Sequence, residues 1–491
     1  MEITAIGLIC LMAGAAVIAS PMRAGPVVLG VFIPLQTAAA FNLWSVGGLS
    51  IISAHFLIGA LIAGIALRPA WAVRAIKSGV KNPAVAALAL FGLYAVSSAF
   101  FMPRLFEGTV QVYSLARPPE GFYSIPLTNL HPTSGNITQS IYLSVNIIFF
   151  AALVFLFRGA YGPLRSTYLI NAITVTHLTF AVLNLAPQIG PVSAVFDLIR
   201  TANYAIYPNL TVGGFPRLIG SYAEASAFGS ISAGLFAWNF VRFNQTRGVW
   251  HFIASLSLLG CIAFSFSSTA YAIIFLLASL WSAHTVYKLV RDGLSREHLT
   301  ALLVNAALAV GLFVFLLYQP AQIFATELFE RLFGAKLQSH SGVERTTWNL
   351  QGIQNFLDTN GFGVGLGSAR TSSLATVLLS NVGFVGAILY AIFLYQAFLK
   401  PWPRRHLLTQ NGELEYNRRV FVAARAGALA LLFAHLIAGG HVDPGLVFMA
   451  FAGVATAAFV PAGARPAEIN IEPIGGAPAP FWQNPHEQAD W

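Results

Sequence analysis

Runs of about twenty apolar residues, separated by shorter polar stretches, recur along the chain from residue 3 to residue 460. A helix crossing the ~30 Å hydrocarbon layer of a bilayer needs roughly 20 such residues. Its backbone polar groups are then paired within the segment, as lipid demands. The pattern predicts thirteen spanning helices, at 3–20, 26–43, 50–67, 83–102, 141–157, 168–185, 226–243, 249–266, 269–290, 299–318, 373–399, 421–436 and 445–460. The second and the last carry the weakest signal, and 249–290 reads as two short helices or as something less regular. The fold class that follows is an all-α polytopic membrane protein with about 13 transmembrane helices, bounded at 12–14. Residues 1–461 form a single transmembrane domain. Residues 462–491 are rich in Pro, Gly and Ala without apolar periodicity, which predicts a disordered cytoplasmic tail. The first run follows Glu2 with no basic stretch before it, so it reads as a span and not as a cleaved signal peptide.

Composition agrees with this class. The chain is 56% hydrophobic and 9% charged, against about 25% charged in soluble domains. The 27 basic and 18 acidic residues leave a net charge of +9, but the basic side chains fall between apolar runs, as topology determinants do. Nucleic acid is therefore not the expected partner. One set of short loops carries Arg23; Arg68, Arg74, Lys77 and Lys81; Arg158 and Arg165; Arg242 and Arg247; Lys288, Arg291 and Arg296; and Lys400, Arg404, Arg405, Arg418 and Arg419. The positive-inside rule assigns these loops to the cytoplasm. The N-terminus is then outside, the C-terminus inside, and three long loops, 103–140, 186–225 and 319–372, lie outside. Cys10 and Cys261 sit within apolar runs, which implies core thiols and no disulfide framework.

The outer loops are unusual in holding Arg104, Arg117, Arg200, Arg217, Arg331, Arg345 and Arg370 against one lysine, Lys336. Arginine grips phosphate or carboxylate with a planar fork that lysine lacks. The plain alternative for each is a weak surface ion pair. Ser341 and Glu344 form an S-x-x-E capping box at the start of a helix that Asp358-Thr359-Asn360-Gly361 ends. On that helix Arg345, Asn349 and Gly352 share one side, and Trp348, Ile353, Phe356 and Leu357 form an apolar side. This reads as an interfacial helix with a snorkelling arginine or as an arginine aimed into a cavity. The alternating glycines of GFGVGLG (361–367) are either a flexible lead into the next span or a tight turn close to a ligand. Beyond them, Arg370, Ser372 and Ser373 stand at a helix start, where free N–H groups attract anions. Glu224 is a candidate base beside Arg217, or the cap of the span that follows. His441 near Asp443 is a candidate proton-transfer pair, or a turn cap. Residues 320–333 predict an apolar helix along the membrane surface. His55, His177, His251, His284 and His435 show no ligand spacing, so no metal site is expected. Asp-x-Asp and Walker sequences are absent.

These residues together resemble the bacterial O-antigen polymerase and O-antigen ligase superfamily, polytopic glycosyltransferases that use undecaprenyl-diphosphate-linked glycans. Arg217-x-x-Gly220 before a span is similar to the family's first Arg motif. Arg345-x-x-Trp348 followed by Gly363-Val-Gly-Leu-Gly is similar to its second, and Ser372-Ser373 with Gly383-Phe384-Val385-Gly386 to its third. The match covers about a third of the chain. Where the ligases have a histidine that activates the acceptor, Ser372 stands here, so the resemblance favours a polymerase over a ligase. It implies a GT-C-like, metal-independent transferase without cofactor at the outer face of the bacterial inner membrane. Arg217, Arg345 and Arg370 would bind the diphosphate, with Trp348, Ser372 and Ser373 lining the substrate site and Glu224 or His441 as base. A chain-length regulator and a flippase are the implied protein partners. The reading from another class is a transporter of lipid-linked sugars, which usually buries charge near the bilayer midplane.

Overall fold

A computed structural model describes residues 2–44, 48–115, 125–159, 161–186, 189–204, 206–208, 211–212, 215–292, 340–401 and 412–459. The expected span 299–318, the surface helix 320–333, the tail 462–491, and Arg117, Arg331 and Lys336 lie outside the described residues.

The described chain is a helical bundle. Six helices are long and apolar enough to cross a membrane: Pro83–Leu105 (α5), Ser134–Leu156 (α6), Gly162–Leu183 (α7), Ser268–Arg291 within Ser268–Asp292 (α11), Leu374–Leu399 (α13) and Glu415–Ala438 within Gly412–Ala438 (α14). Ser53–Ala66 (α3) and Pro69–Lys81 (α4), bent by 110° to one another, bring the number to seven if the pair is one span. Thirteen spans were expected, and the difference has local causes. Residues 26–43 do not make one helix. Ala24–Phe32 (α2) lasts nine residues and the chain then runs extended through Ala39–Leu43 (β2). Pro34 lacks an amide donor, and polar Gln36 and Thr37 follow. Ala5–Ala19 (α1) and Val249–Ser265 (α10) are 15 and 17 residues long. Ala225–Thr246 (α9) is long enough but carries buried Ser230, Ser232, Asn239 and Arg242.

Leu446–Ala458 (α15) has 13 residues, about 20 Å at 1.5 Å per residue. It is apolar on all sides and nearly every residue is buried, as expected of a helix enclosed by its neighbours. It packs on α6 and α14, while α9 packs on α10 and α14, α2 on α7, and α1 on α3. Apolar contact gains little over lipid inside a membrane, so close approach through small residues matters more. A Cβ added at Gly453 would stand 2.8 Å from Leu153, and one at Gly234 would stand 2.7 Å from Leu431.

The loops collect at two ends. At one end the basic loops meet. Arg158 donates to Ser78 at 2.7 Å, Gln245 donates to the Arg419 carbonyl at 3.1 Å, Arg242 lies over Tyr416, and Lys400 lies over Phe459. At the opposite end sits a small antiparallel sheet of Glu2–Ile3 (β1), β2 and Leu49–Ile52 (β3), with Asn42 opposite Ser50. Gln111–Tyr113 (β4) pairs with Leu127–Asn129 (β5), and the helices Gly190–Ile199 (α8) and His340–Asp358 (α12) belong to that same end.

Candidate functional site

The GFGVGLG segment builds the floor of the site. Gly361, Gly363, Gly365 and Gly367 have φ of 84°, 80°, 98° and 81°, a left-handed conformation that side chains disfavour. The turn is neither a flexible lead nor an open ligand cradle, because residues 363–369 are buried. A π-helical segment, Leu378–Val382, supplies its partners. The Val364 and Gly365 amides donate to the Ser380 and Asn381 carbonyls at 2.8 and 2.9 Å. Such carbonyls are freed where the i→i−4 ladder widens. Side chains complete the lock. Thr359 Oγ1 accepts from Gly363, Asn381 exchanges two bonds with the Ala369 backbone, and Asn136 Nδ2 donates to the Leu366 carbonyl at 2.7 Å.

Arg370 leaves this rigid turn directly. Its amide donates to the Tyr113 carbonyl at 2.7 Å, tying it to β4. The guanidinium lies 5.4 Å from the Trp348 ring, and its Nε is buried without a hydrogen-bond partner among the described residues. Burial draws this guanidinium below its usual range, and the nearby Tyr207 and Glu344 oppose that shift.

The side of α12 that carries Arg345, Asn349 and Gly352 proves to be its docking face. Asn349 Oδ1 accepts from the Ser372 amide at 2.7 Å and from Thr376 Oγ1 at 2.8 Å, and a Cβ at Gly352 would stand 2.7 Å from the Thr371 methyl. The Ser372 N–H is therefore already taken. Ser373 Oγ donates to the Leu436 carbonyl at 2.8 Å. The two serines fasten α13 to α12 and α14 through these groups. The cavity-facing reading of α12 rests instead on Arg345 and Trp348, both half-buried.

Arg217 reaches the same end from the loop before α9. Its Nε donates to the Ser265 carbonyl at 3.1 Å, and the neighbouring Leu218 amide donates to the Phe264 carbonyl. Burial lowers its proton affinity. Glu224 and Tyr271 oppose that effect, and the charge of Arg345 adds to it. Glu224 is the N-cap residue of α9 and accepts a hydrogen bond from Ser226. The first turn of α12 lies within electrostatic range of both Arg217 and Arg370: Arg345 acts on Arg217, and adjacent Glu344 acts on Arg370.

His441 lies in the turn 439–445, beside Arg370. The residue is exposed at the surface, although many protein atoms surround it. Burial, and then the charge of Arg370, make it harder to protonate. Asp443 does not hydrogen-bond to the His441 ring. Its Oδ1 accepts from Asn146 Nδ2 at 3.1 Å and from the Gly445 amide at 2.7 Å. Burial raises the Asp443 carboxyl to about 6, against those two bonds. Asn146 and its partner His55 were not among the candidates. The one signal for Asn146 was a lone amide inside the apolar run SVNIIFF.

The arrangement presents guanidinium groups, an aromatic face and an imidazole at one end of an apolar bundle, a fit for an anionic headgroup beside a hydroxyl-bearing molecule. No protein family, curated protein or solved structure matches this chain.

Proposed function

We propose that the protein polymerises undecaprenyl-diphosphate-linked oligosaccharide repeat units into a surface polysaccharide. The reaction would take place at the outer face of the bacterial inner membrane. The observation that carries this reading is that charges in the first turn of α12, Arg345 and Glu344, act on Arg217 and Arg370 at the end opposite the basic loops. Placing those basic loops in the cytoplasm puts the arginines outside, where lipid-linked repeat units are assembled into chains.

The chemistry follows from the groups present. An acceptor hydroxyl gives its proton to a base while its oxygen attacks the anomeric carbon of the donor. The bond from that carbon to the diphosphate breaks, and its electron pair stays on the diphosphate oxygen. Preorganised guanidinium groups stabilise that growing charge. His441 is the better placed base, since Arg370 and burial hold it neutral and ready to accept a proton. Glu224, at the start of α9, is the second candidate. Trp348 offers a ring face to a sugar and orients Arg370. A flippase would deliver the substrate and a chain-length regulator would limit the product.

The test is a reconstituted assay with a defined lipid-linked repeat unit. Arg370→Ala and Arg345→Ala are each expected to cut polymerisation about 10²–10³-fold, the usual loss of one charge-stabilising group. Single repeats should then accumulate on the outer leaflet. Wild-type rates for Arg370→Ala would overturn the reading. Repeats trapped on the inner leaflet would point to transport, and full-length chains left unattached to an acceptor would point to a ligase.

A further inference from the structure

Beneath the site, three polar side chains from distant parts of the sequence form one hydrogen-bonded chain. His55 on α3 meets Asn146 on α6 at 3.2 Å (Nε2 to Oδ1), and Asn146 Nδ2 donates to Asp443 Oδ1 at 3.1 Å. The directions are fixed by the amide. Its nitrogen serves the carboxylate, so its oxygen accepts, and His55 carries its proton on Nε2. The His55 ring is stacked 5.0 Å from the Tyr142 ring, whose hydroxyl donates to the Ser50 carbonyl at 2.6 Å. The chain therefore starts from the β2–β3 hairpin and ends on the turn that bears His441. Asn146 and Asp443 are both more than nine-tenths buried, as is Val442 between His441 and Asp443. Polar groups buried among apolar helices are costly unless satisfied, and here they are joined end to end and close on the turn, where Asp443 also accepts from the Gly445 amide.

We propose that Asn146 is a positioning residue for the site: by holding Asp443 it fixes the turn 439–445 and so keeps His441 against Arg370. The catalytic consequence rests on the polymerase reading above, whereas the placement of His441 does not. The polar span from α3 to the turn is a strut, and His441 is the group at its tip.

The experiment measures both quantities on purified protein in nanodiscs. Carbethoxylation of His441 by diethyl pyrocarbonate, followed by mass spectrometry, reports its exposure and protonation without any turnover. His131, exposed at the same end, is the internal reference. Asn146→Ala and Asn146→Leu are expected to change the His441 labelling rate at least threefold with His131 unchanged. They should lower kcat at least tenfold with little change in KM for the lipid diphosphate. Asp443→Asn keeps an oxygen that accepts from Asn146 and Gly445, and should label like wild type. Asn146→Asp sets a second carboxyl against Asp443, facing His55 from α3, Tyr390 from α13 and the turn itself. Two carboxyls in contact share a proton, so this variant should recover wild-type labelling as pH falls. Unchanged His441 labelling in Asn146→Ala, with the protein monodisperse, would overturn the proposal, whatever its activity. If wild type does not polymerise at all, the labelling arm still decides the positioning role, and only the polymerase reading falls.

Discussion

At the residue scale, the site end is stiff because individual backbone angles demand it. At Gly365 an added Cβ would meet the Ser98 carbonyl and Pro103 Cδ, both at 2.7 Å, in a left-handed conformation. Gly365→Ala is expected to lower stability by about 2–4 kcal/mol, combining the cost of that conformation with overpacking. Gly59→Ala, where a Cβ meets nothing within 4 Å, should leave the thermal unfolding temperature unchanged or raised. Asp443 gives a second expectation. Its carboxyl titrates at about 6 in the folded protein, above the ~3.9 of an unfolded chain. Between pH 4 and 6 the unfolded state releases that proton more readily, so stability falls as pH rises through this window, by about 3 kcal/mol in total. Asp443→Asn should remove the slope, as urea unfolding at stepped pH would show. A slope that persists in the variant would place its origin elsewhere.

At the scale of elements, one arginine holds a corner. Arg68, at the 110° break between α3 and α4, donates to the carbonyls of Ile18 at 3.0 Å, Ala19 at 2.7 Å and Gly64. It closes the ends of α1 and α3 at once. Arg68→Ala should destabilise this helix pair by about 1–3 kcal/mol, the range for hydrogen bonds from a charged donor. Arg68→Lys should not restore it, since one ammonium cannot replace a fork. Protection of the Ile18 to Ala24 amides in hydrogen exchange would report the loss. Several elements were legible in the sequence because their periodicity is strong. The expected spans 83–102, 141–157 and 168–185 match the helices Pro83–Leu105, Ser134–Leu156 and Gly162–Leu183, the last two ending one and two residues earlier than expected. The stretch 26–43 was not legible, because an apolar run can make a buried strand as well as a helix, and only Pro34, Gln36 and Thr37 mark the change. The lock between the glycine turn and the π-helical segment was also hidden. It depends on carbonyls released by a widened helical turn, which no residue pattern announces.

At the scale of the molecule, the two ends differ in the chemistry they present. Basic side chains mark one, while half-buried arginines, Trp348 and His441 mark the other. Cysteine placed at Gln351, Thr346 or Gln111 should react with a membrane-impermeant maleimide added to intact spheroplasts, and cysteine at Lys77 only after lysis. The native Cys10 and Cys261 are buried and would be replaced first. The reverse pattern would put the arginines in the cytoplasm and remove the basis for an outer-face reaction. Arg217, Arg345 and Arg370 were grouped in the sequence by their loops, and in the structure charges in the first turn of α12 act on the other two arginines. The strut below them was not anticipated, because His55, Asn146 and Asp443 lie 91 and 297 residues apart along the chain. Pairing over such distances is a property of how helices pack.

The alternation of left-handed positions from Gly361 to Gly367 also sets a reading frame in the backbone. Most surface loops tolerate a gained or lost residue. Here a single insertion would push Phe362, Val364 or Leu366 onto angles only glycine takes easily, and would carry Arg370 out of step with Tyr113. Point changes elsewhere at this end of the bundle can drift, but the length of this segment cannot.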